Sequence, residues 1–241
     1  ASNKLEPFYL NLEEEAKQAK IIHGDETSHS VNGVNHWIWV FCNAMFSLFK
    51  FKEQRGGDIV EKTLGKDFKG KLVSDGWATY TSYSKDNKIL HQRCLDHWRR
   101  EVKHECKKKH PNLYNWACDI YSMVRRAKSY KQEKRRIAMY MKCKSELSML
   151  VSNMKAHKNL RKMATKIENG QDKWFTCILH PELPMDNNEA ERSLRQIVIM
   201  RKIIGCLRSD MGVRTHEIMM SLISTWEKQG KNVFYSLQDT L

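Results

Sequence analysis

Three acidic positions could share one piece of chemistry: Asp25, Asp75 and one of a group near residue 190. Ile21-Ile22-His23-Gly24-Asp25 and Lys71-Leu72-Val73-Ser74-Asp75 are short apolar runs that each end in an acid. A strand of this kind places its carboxylate at the rim of a sheet, and two neighbouring strands bring two carboxylates together. Carboxylates that close repel one another in a low-dielectric cleft and call for a cation between them. Magnesium suits the position, being a hard ion that takes oxygen ligands. Two such ions about 4 Å apart can activate an attacking oxygen and stabilise a leaving one in phosphodiester cleavage. The third carboxylate would come from a helix packed on the sheet, and Asp186, Glu189 and Glu191 compete for the role. Helical spacing sets Glu191 on one side with Leu194 and Val198, and Glu189 with Ser193 and Gln196. Glu191 is therefore expected at the edge of a buried face, looking into a cleft, and Glu189 is expected to look outward. Asp186 reads as a cap or loop acid. Taken singly, each acid also has a plainer reading, as a turn residue or a solvated helix side chain.

The elements that must position these acids fall into three zones. From residue 21 to 95 the pattern is mostly strand-like. Val31-Asn32-Gly33-Val34 is a hairpin turn, and His36–Cys42 is aromatic and β-branched, as a buried strand should be. A third strand is predicted over 45–51, a short helix capped by Asp58 through Leu64, and a further strand over 89–94. Residues 96–180 contain almost no breakers: glycine is absent between Gly76 and Gly170, and Pro111 is the one proline. Leu113, Trp116, Ala117, Ile120 and Val124 recur at helical spacing, with Arg125, Arg126, Lys128, Lys131 and Lys134 opposite them. This zone reads as a helical insertion with basic faces, which either contact a polyanion or are simply solvated. After the 180–184 loop, a helix starts near Glu189, and a long one is predicted from about Thr215 to Lys228. The expected organisation is an N-terminal linker or helix (1–20), a core in two parts (21–100 and 181–241) and the insertion between them (101–180).

The formal net charge of +14 points to a polyanionic partner, nucleic acid before anionic membrane, although a solvated basic surface is the plainer reading. No apolar run is long enough to span a bilayer, and the acidic start after Ala1-Ser2-Asn3-Lys4 gives no signal peptide. The chain does not open on Met, which fits a fragment. Seven scattered cysteines without a CxxC pair fit free thiols in a reducing compartment. Cys94, His97, His104 and Cys106 are zinc-ligand types, but their spacing is unlike a common structural zinc site.

Several stretches together resemble transposases of the insertion-sequence-66 family. They are His23-Gly24-Asp25-Glu26-Thr27 with Trp37-Ile38-Trp39-Val40, then Leu72-Val73-Ser74-Asp75-Gly76-Trp77-Ala78-Thr79-Tyr80, then His91-Gln92-Arg93-Cys94-Leu95-Asp96-His97-Trp98-Arg99-Arg100. Asp186-Asn187-Asn188-Glu189-Ala190-Glu191-Arg192, Arg201-Lys202 and the Ser221–Gly230 stretch complete the set. The resemblance runs from about residue 20 to the end. It implies an α/β, ribonuclease-H-like mixed sheet flanked by helices, with an all-helical insertion before the helix that bears the catalytic glutamate. It implies Asp25, Asp75 and Glu191 as catalytic and metal-holding residues for two Mg2+ ions, with Mn2+ as a substitute. Cys94 and His97 would support the site, His97 having a hydrogen-bonded core histidine as its plainer reading. Arg99, Arg100, Arg192, Arg195, Arg201 and Lys202 would contact DNA phosphates. The activity implied is cleavage at transposon ends and strand transfer into target DNA, by a dimer or larger assembly, in the nucleoid-associated cytoplasm of a prokaryote. Family members also carry an upstream cysteine-rich DNA-binding region, and nothing in this chain matches it, so specific end recognition is expected elsewhere. Two other readings compete: a ribonuclease-H-like nuclease acting on another nucleic acid, and a domesticated DNA-binding module without catalysis.

Overall fold

Asn32 and Gly33 join the first two strands of the computed structural model, which describes residues 2–240. Both have positive φ, 49° and 80°, the condition for a two-residue turn matched to strand twist. That turn sets the register of a long hairpin between β1 (Ile21–Val31) and β2 (Val34–Cys42), paired from Val31↔Val34 back to His23↔Cys42. Asp25 is therefore in mid-strand, opposite Val40, and not at a strand end. The polar run after Asp25 suggested a stop, but a fixed hairpin register carries pairing straight through it.

The chain divides into two units, Ala1–Leu72 with Trp77–Ile89 and Asn187–Leu241, and Val73–Gly76 with Leu90–Asp186. In the first unit, α1 (Ser2–Gln18) precedes the hairpin, and β3 (Ser47–Lys52) pairs antiparallel with β2. α2 (Asp58–Leu64) follows, with Gly57 at the N-cap and Asp58 inside the first turn, so the helix begins one position earlier than an Asp58 cap would give. β4 (Lys71–Ser74) crosses the boundary between the units. The strand order is β3-β2-β1-β4-β5, β5 being the short strand His91–Arg93, so the protein is mixed α/β with a central mixed sheet. α3 (Ala78–Asp86) belongs to the first unit and was not anticipated.

From Ile38 to Cys42, β2 alternates between two buried faces. Trp39 and Phe41 join Leu5, Tyr9, Leu12 and Ala16 of α1 in one core. Ile38, Val40 and Cys42 join Ala190, Leu194 and Ile197 of α9 (Asn188–Ile204) in the other. Double burial explains why this strand reads as an unbroken apolar run. β6 (Cys206–Leu207) then pairs parallel with the far end of β1, a two-residue pairing too short to show in a hydropathy pattern.

α10 (Asp210–Lys228) starts five residues before the predicted Thr215, because the Ser209 side chain caps it by accepting the Gly212 N–H at 3.1 Å. It seals the open edge of β3: Glu217, Ser221 and Thr225 accept the N–H groups of Phe51, Phe49 and Ser47 at 3.1, 2.9 and 3.1 Å. Four residues of helix rise about 6 Å and two of strand about 6.7 Å, so the two ladders stay in step over three rungs. α11 (Val233–Thr240) closes the chain.

The second unit holds the end of β4, β5 and the helices α4 (Leu95–Cys106), α5 (Pro111–Lys128), α6 (Glu133–Ala156), α7 (Arg161–Glu168) and α8 (Thr176–Leu179). Of the apolar positions expected on α5, Ala117, Ile120 and Val124 are buried. Buried Gln92 ties β5 to α8, accepting the Cys177 N–H at 2.7 Å and donating to the Trp174 carbonyl at 3.0 Å. The seven cysteines are free thiols, and among the described residues no helix is long and apolar enough to cross a membrane.

Candidate active site

Asp25 faces the side of the sheet that α9 covers, because directly paired residues share a face and its partner Val40 packs against α9. α9 presents a single stripe to this place: Glu191, Leu194, Arg195, Val198, Ile199 and Lys202, at steps of three and four. Together with Asp25, Glu26 and Thr27 these residues line one pocket of about 430 Å3. Asp25 and Glu191 are thus brought to one cavity, with Arg195 and Lys202 on its wall. The Glu26 N–H donates to Asp25 Oδ1 at 2.9 Å.

Asn187 couples the two acid-bearing elements, and residue patterning alone did not single it out. It is fully buried at the N-cap of α9, and its Nδ2 donates to the Gly24 carbonyl at 2.9 Å. Its Oδ1 is 3.0 Å from His23 Nδ1, which therefore carries the proton in that contact. Its own carbonyl accepts the Glu191 N–H at 3.1 Å. One side chain thus grips the strand residue before Asp25, while its backbone starts the turn that bears Glu191. The only signal in the sequence was an amide where a helix begins. Gly24 has to be glycine here, since a Cβ would stand 2.6 Å from Tyr80 Cε1.

On the opposite face of β1, the Glu26 side chain is buried in a charged cluster. Arg55 Nη2 meets its Oε1 at 2.5 Å, and the Tyr80 hydroxyl donates to its Oε2 at 2.9 Å. The Arg55 guanidinium lies between Trp37 and Trp77, 4.4 and 3.5 Å from their rings. Neighbouring acids on β1 thus have different fates: Glu26 is neutralised by an arginine, and Asp25 opens into the pocket.

Glu189 does not look freely outward as expected. It pairs with Lys228 at 2.9 Å and Arg192 at 2.6 Å. Burial would raise its carboxyl, but Lys228 and Arg192 outweigh that and hold it below the usual carboxylate value. The reason lies outside α9: the end of α10 delivers Lys228 to this side of the helix. Arg192 is exposed beside that pair, while Arg201 reaches Thr27 Oγ1 at 3.4 Å and Ser28 Oγ at 3.3 Å, bracing β1.

Asp75 directly follows β4 in the second unit and precedes Gly76, as the sequence predicts. The turn is clamped by Arg93, whose Nη2 donates to the Gly76 carbonyl at 3.1 Å and whose guanidinium stacks on Trp174 at 4.4 Å. Burial lowers the Arg93 pKa, and the Asp75 and Glu101 carboxylates oppose that shift. Gly76 and Gly170 make room for it: a Cβ at either would come within 1.9 or 2.1 Å of a guanidinium nitrogen. Cys94 is buried at the N-cap of α4, and its N–H donates to Ser74 O at 2.8 Å. Its Sγ lies within 4.8 Å of a His97 ring nitrogen, and His97 itself is half-buried. Among the described residues, His104 and Cys106 do not join them in a ligand cluster, so the four-residue zinc grouping is not assembled. Arg99 is exposed, 3.4 Å from Asp96 and 4.9 Å from the Tyr121 ring, and Arg100 is exposed one residue further on.

A mixed α/β sheet thus brings carboxylates and cationic side chains around one pocket. The model of the IS66 transposase family matches residues 1–215, and the chain belongs to that family. An uncharacterized protein of Sinorhizobium fredii, y4jO, is 28% identical over 85 residues, 35% of this chain. The matched stretch spans 26% of that relative's length. No solved structure matches the chain.

Proposed function

We propose that the chain is the catalytic domain of a transposase that cuts DNA at transposon ends and joins them to target DNA. The observation that carries this reading is the shared pocket of Asp25 and Glu191, with Arg195 and Lys202 beside them, in a chain of net charge +14. The strand order β3-β2-β1-β4-β5, with antiparallel pairing across the first three strands, supports the ribonuclease-H-like reading.

The donor chemistry fits hard divalent ions: carboxylate oxygens in an open, half-buried pocket, with a backbone N–H orienting the Asp25 carboxylate. Asp25, Asp75 and Glu191 would hold two Mg2+ ions, or Mn2+ in their place. When bound, the ions supply charge stabilisation to the attacking and leaving oxygens of an in-line displacement. The protein's own residues do the remaining work. Arg195 and Lys202 hold the scissile strand's phosphates, Arg192 extends that contact, and Arg99 and Arg100 are exposed cations of the second unit available to DNA. Arg201 steadies β1 beneath Asp25. Cys94 and Arg93 fix the segment that carries Asp75. Pairing of two element ends requires at least a dimer on DNA, in the nucleoid-associated cytoplasm.

Supercoiled plasmid carrying the element's ends, incubated with Mg2+ and the full-length protein, gives nicked and joined products. Asp75→Asn is expected to reduce both by at least a hundredfold while leaving the fold intact by circular dichroism. Full activity in that variant would end the proposal.

A further inference from the structure

We infer that the second unit carries a DNA-backbone surface of its own, in and around the groove between α4 and α7, apart from the carboxylate pocket. The groove is a cavity of about 580 Å3, lined on one side by Arg100, Glu101, His104 and Glu105 and on the other by Asn159, Lys162, Met163 and Lys166. A second depression of about 440 Å3 continues along α4, lined by Arg100, Lys103, His104, Lys107 and Lys108. Six lysine and arginine side chains thus face two acids across both hollows. The acids are engaged already: Glu101 meets Lys166 at 2.5 Å, and Glu105 is 3.0 Å from His104 Nδ1.

Lys103, Lys107, Lys108 and Lys162 are exposed and have no ion-pair or hydrogen-bond partner among the described residues. Lysines in the last turn of a helix offset its dipole, and that accounts for some of the charge at the end of α4. It does not account for Lys162, which belongs to the first turn of α7, where a cation is disfavoured. A cation kept at that end, opposite a row of others, suits a bound anion. Arg100, Lys103 and Lys107 follow steps of three and four and span about 10 Å of helix, a row rather than a point. Such a row of cations contacts a line of phosphates and reads no bases. Duplex DNA is the polyanion that presents such a line.

The choice of DNA rests on the transposase reading; the location does not. The test uses the full chain and a duplex of about 30 base pairs, with affinity followed by fluorescence anisotropy as salt is varied. The variant carries Lys103→Ala, Lys107→Ala, Lys108→Ala and Lys162→Ala. A control removes four exposed cations elsewhere in the same unit, with Lys131→Ala, Lys134→Ala, Arg135→Ala and Lys142→Ala. The groove variant should bind at least tenfold more weakly, and its log–log salt slope should shrink by about 3.6, which is about 0.9 for each of the four phosphates no longer neutralised. The control should change affinity less than threefold. Equal losses in both variants, or none in the groove variant, would overturn the inference, as would tighter and more lysine-dependent binding of a single-stranded RNA of equal length. Plasmid cleavage that persists while the groove variant binds normally would sink the surface alone. Groove-dependent binding without cleavage by the unaltered protein would sink the transposase reading alone.

Discussion

Asn187 shows how one residue can tie together the two elements that carry a pair of acids. Its amide is anchored to Gly24, next to Asp25, and its carbonyl receives the N–H of Glu191. Removing the amide leaves a buried carbonyl without its donor, and His23 loses the same partner. Asn187→Ala should therefore cost about 1–3 kcal/mol in urea denaturation. It should also weaken Mn2+ binding by at least fivefold at temperatures where the variant is still folded, because β1 and α9 lose their tie. Loss of stability with unchanged Mn2+ affinity would reduce Asn187 to a core residue. The placement of Glu191 was legible in the sequence: helical periodicity put it on the pocket-facing stripe with Leu194 and Val198. What lay hidden was partnership at long sequence range. Nothing near Glu189 announces Lys228, thirty-nine residues away, and nothing near Asp75 announces that Arg93 will stack on Trp174 and clamp the following glycine.

At the scale of elements, α10 and β3 meet through side chains acting as a strand. Glu217, Ser221 and Thr225 take the N–H groups that an edge strand would otherwise offer to another chain. Ser221→Ala removes the acceptor for Phe49 N–H in a fully buried place, so a loss of about 1–3 kcal/mol is expected in chemical denaturation. Thr225→Val combined with it should expose the edge, visible as faster amide exchange at Ser47 and Phe49 and as oligomers on sizing columns. Protection equal to the unaltered protein would contradict this. The hairpin and β2 could be read from Asn32-Gly33 and the apolar run because both signals are local. The true length of β1 could not, since polar residues on a paired strand look like a loop until the partner's register is known. β6 and the early start of α10 escaped for a related reason: a two-residue bridge and a serine cap leave no periodic trace.

For the whole molecule, composition reached furthest where it was least specific. A charge of +14 pointed to a polyanion, and the chain belongs to the family whose model matches residues 1–215; that the polyanion is DNA is part of the proposed function. The division into two units cuts through β4 between Leu72 and Val73, a boundary that no breaker residue marks. The first unit owns the pocket of Asp25 and Glu191, and the second owns the Asp75 turn and the α4–α7 groove. The claim on which all else depends is that these carboxylates hold divalent metal. Titration of Mn2+ into the full chain, followed by electron paramagnetic resonance of the free ion, tests it directly. Binding should fall at least tenfold in Asp25→Asn and in Glu191→Gln and stay within twofold in Glu189→Gln, whose carboxylate is taken up by Lys228 and Arg192. Unchanged Mn2+ binding in Asp25→Asn and Glu191→Gln would contradict the account.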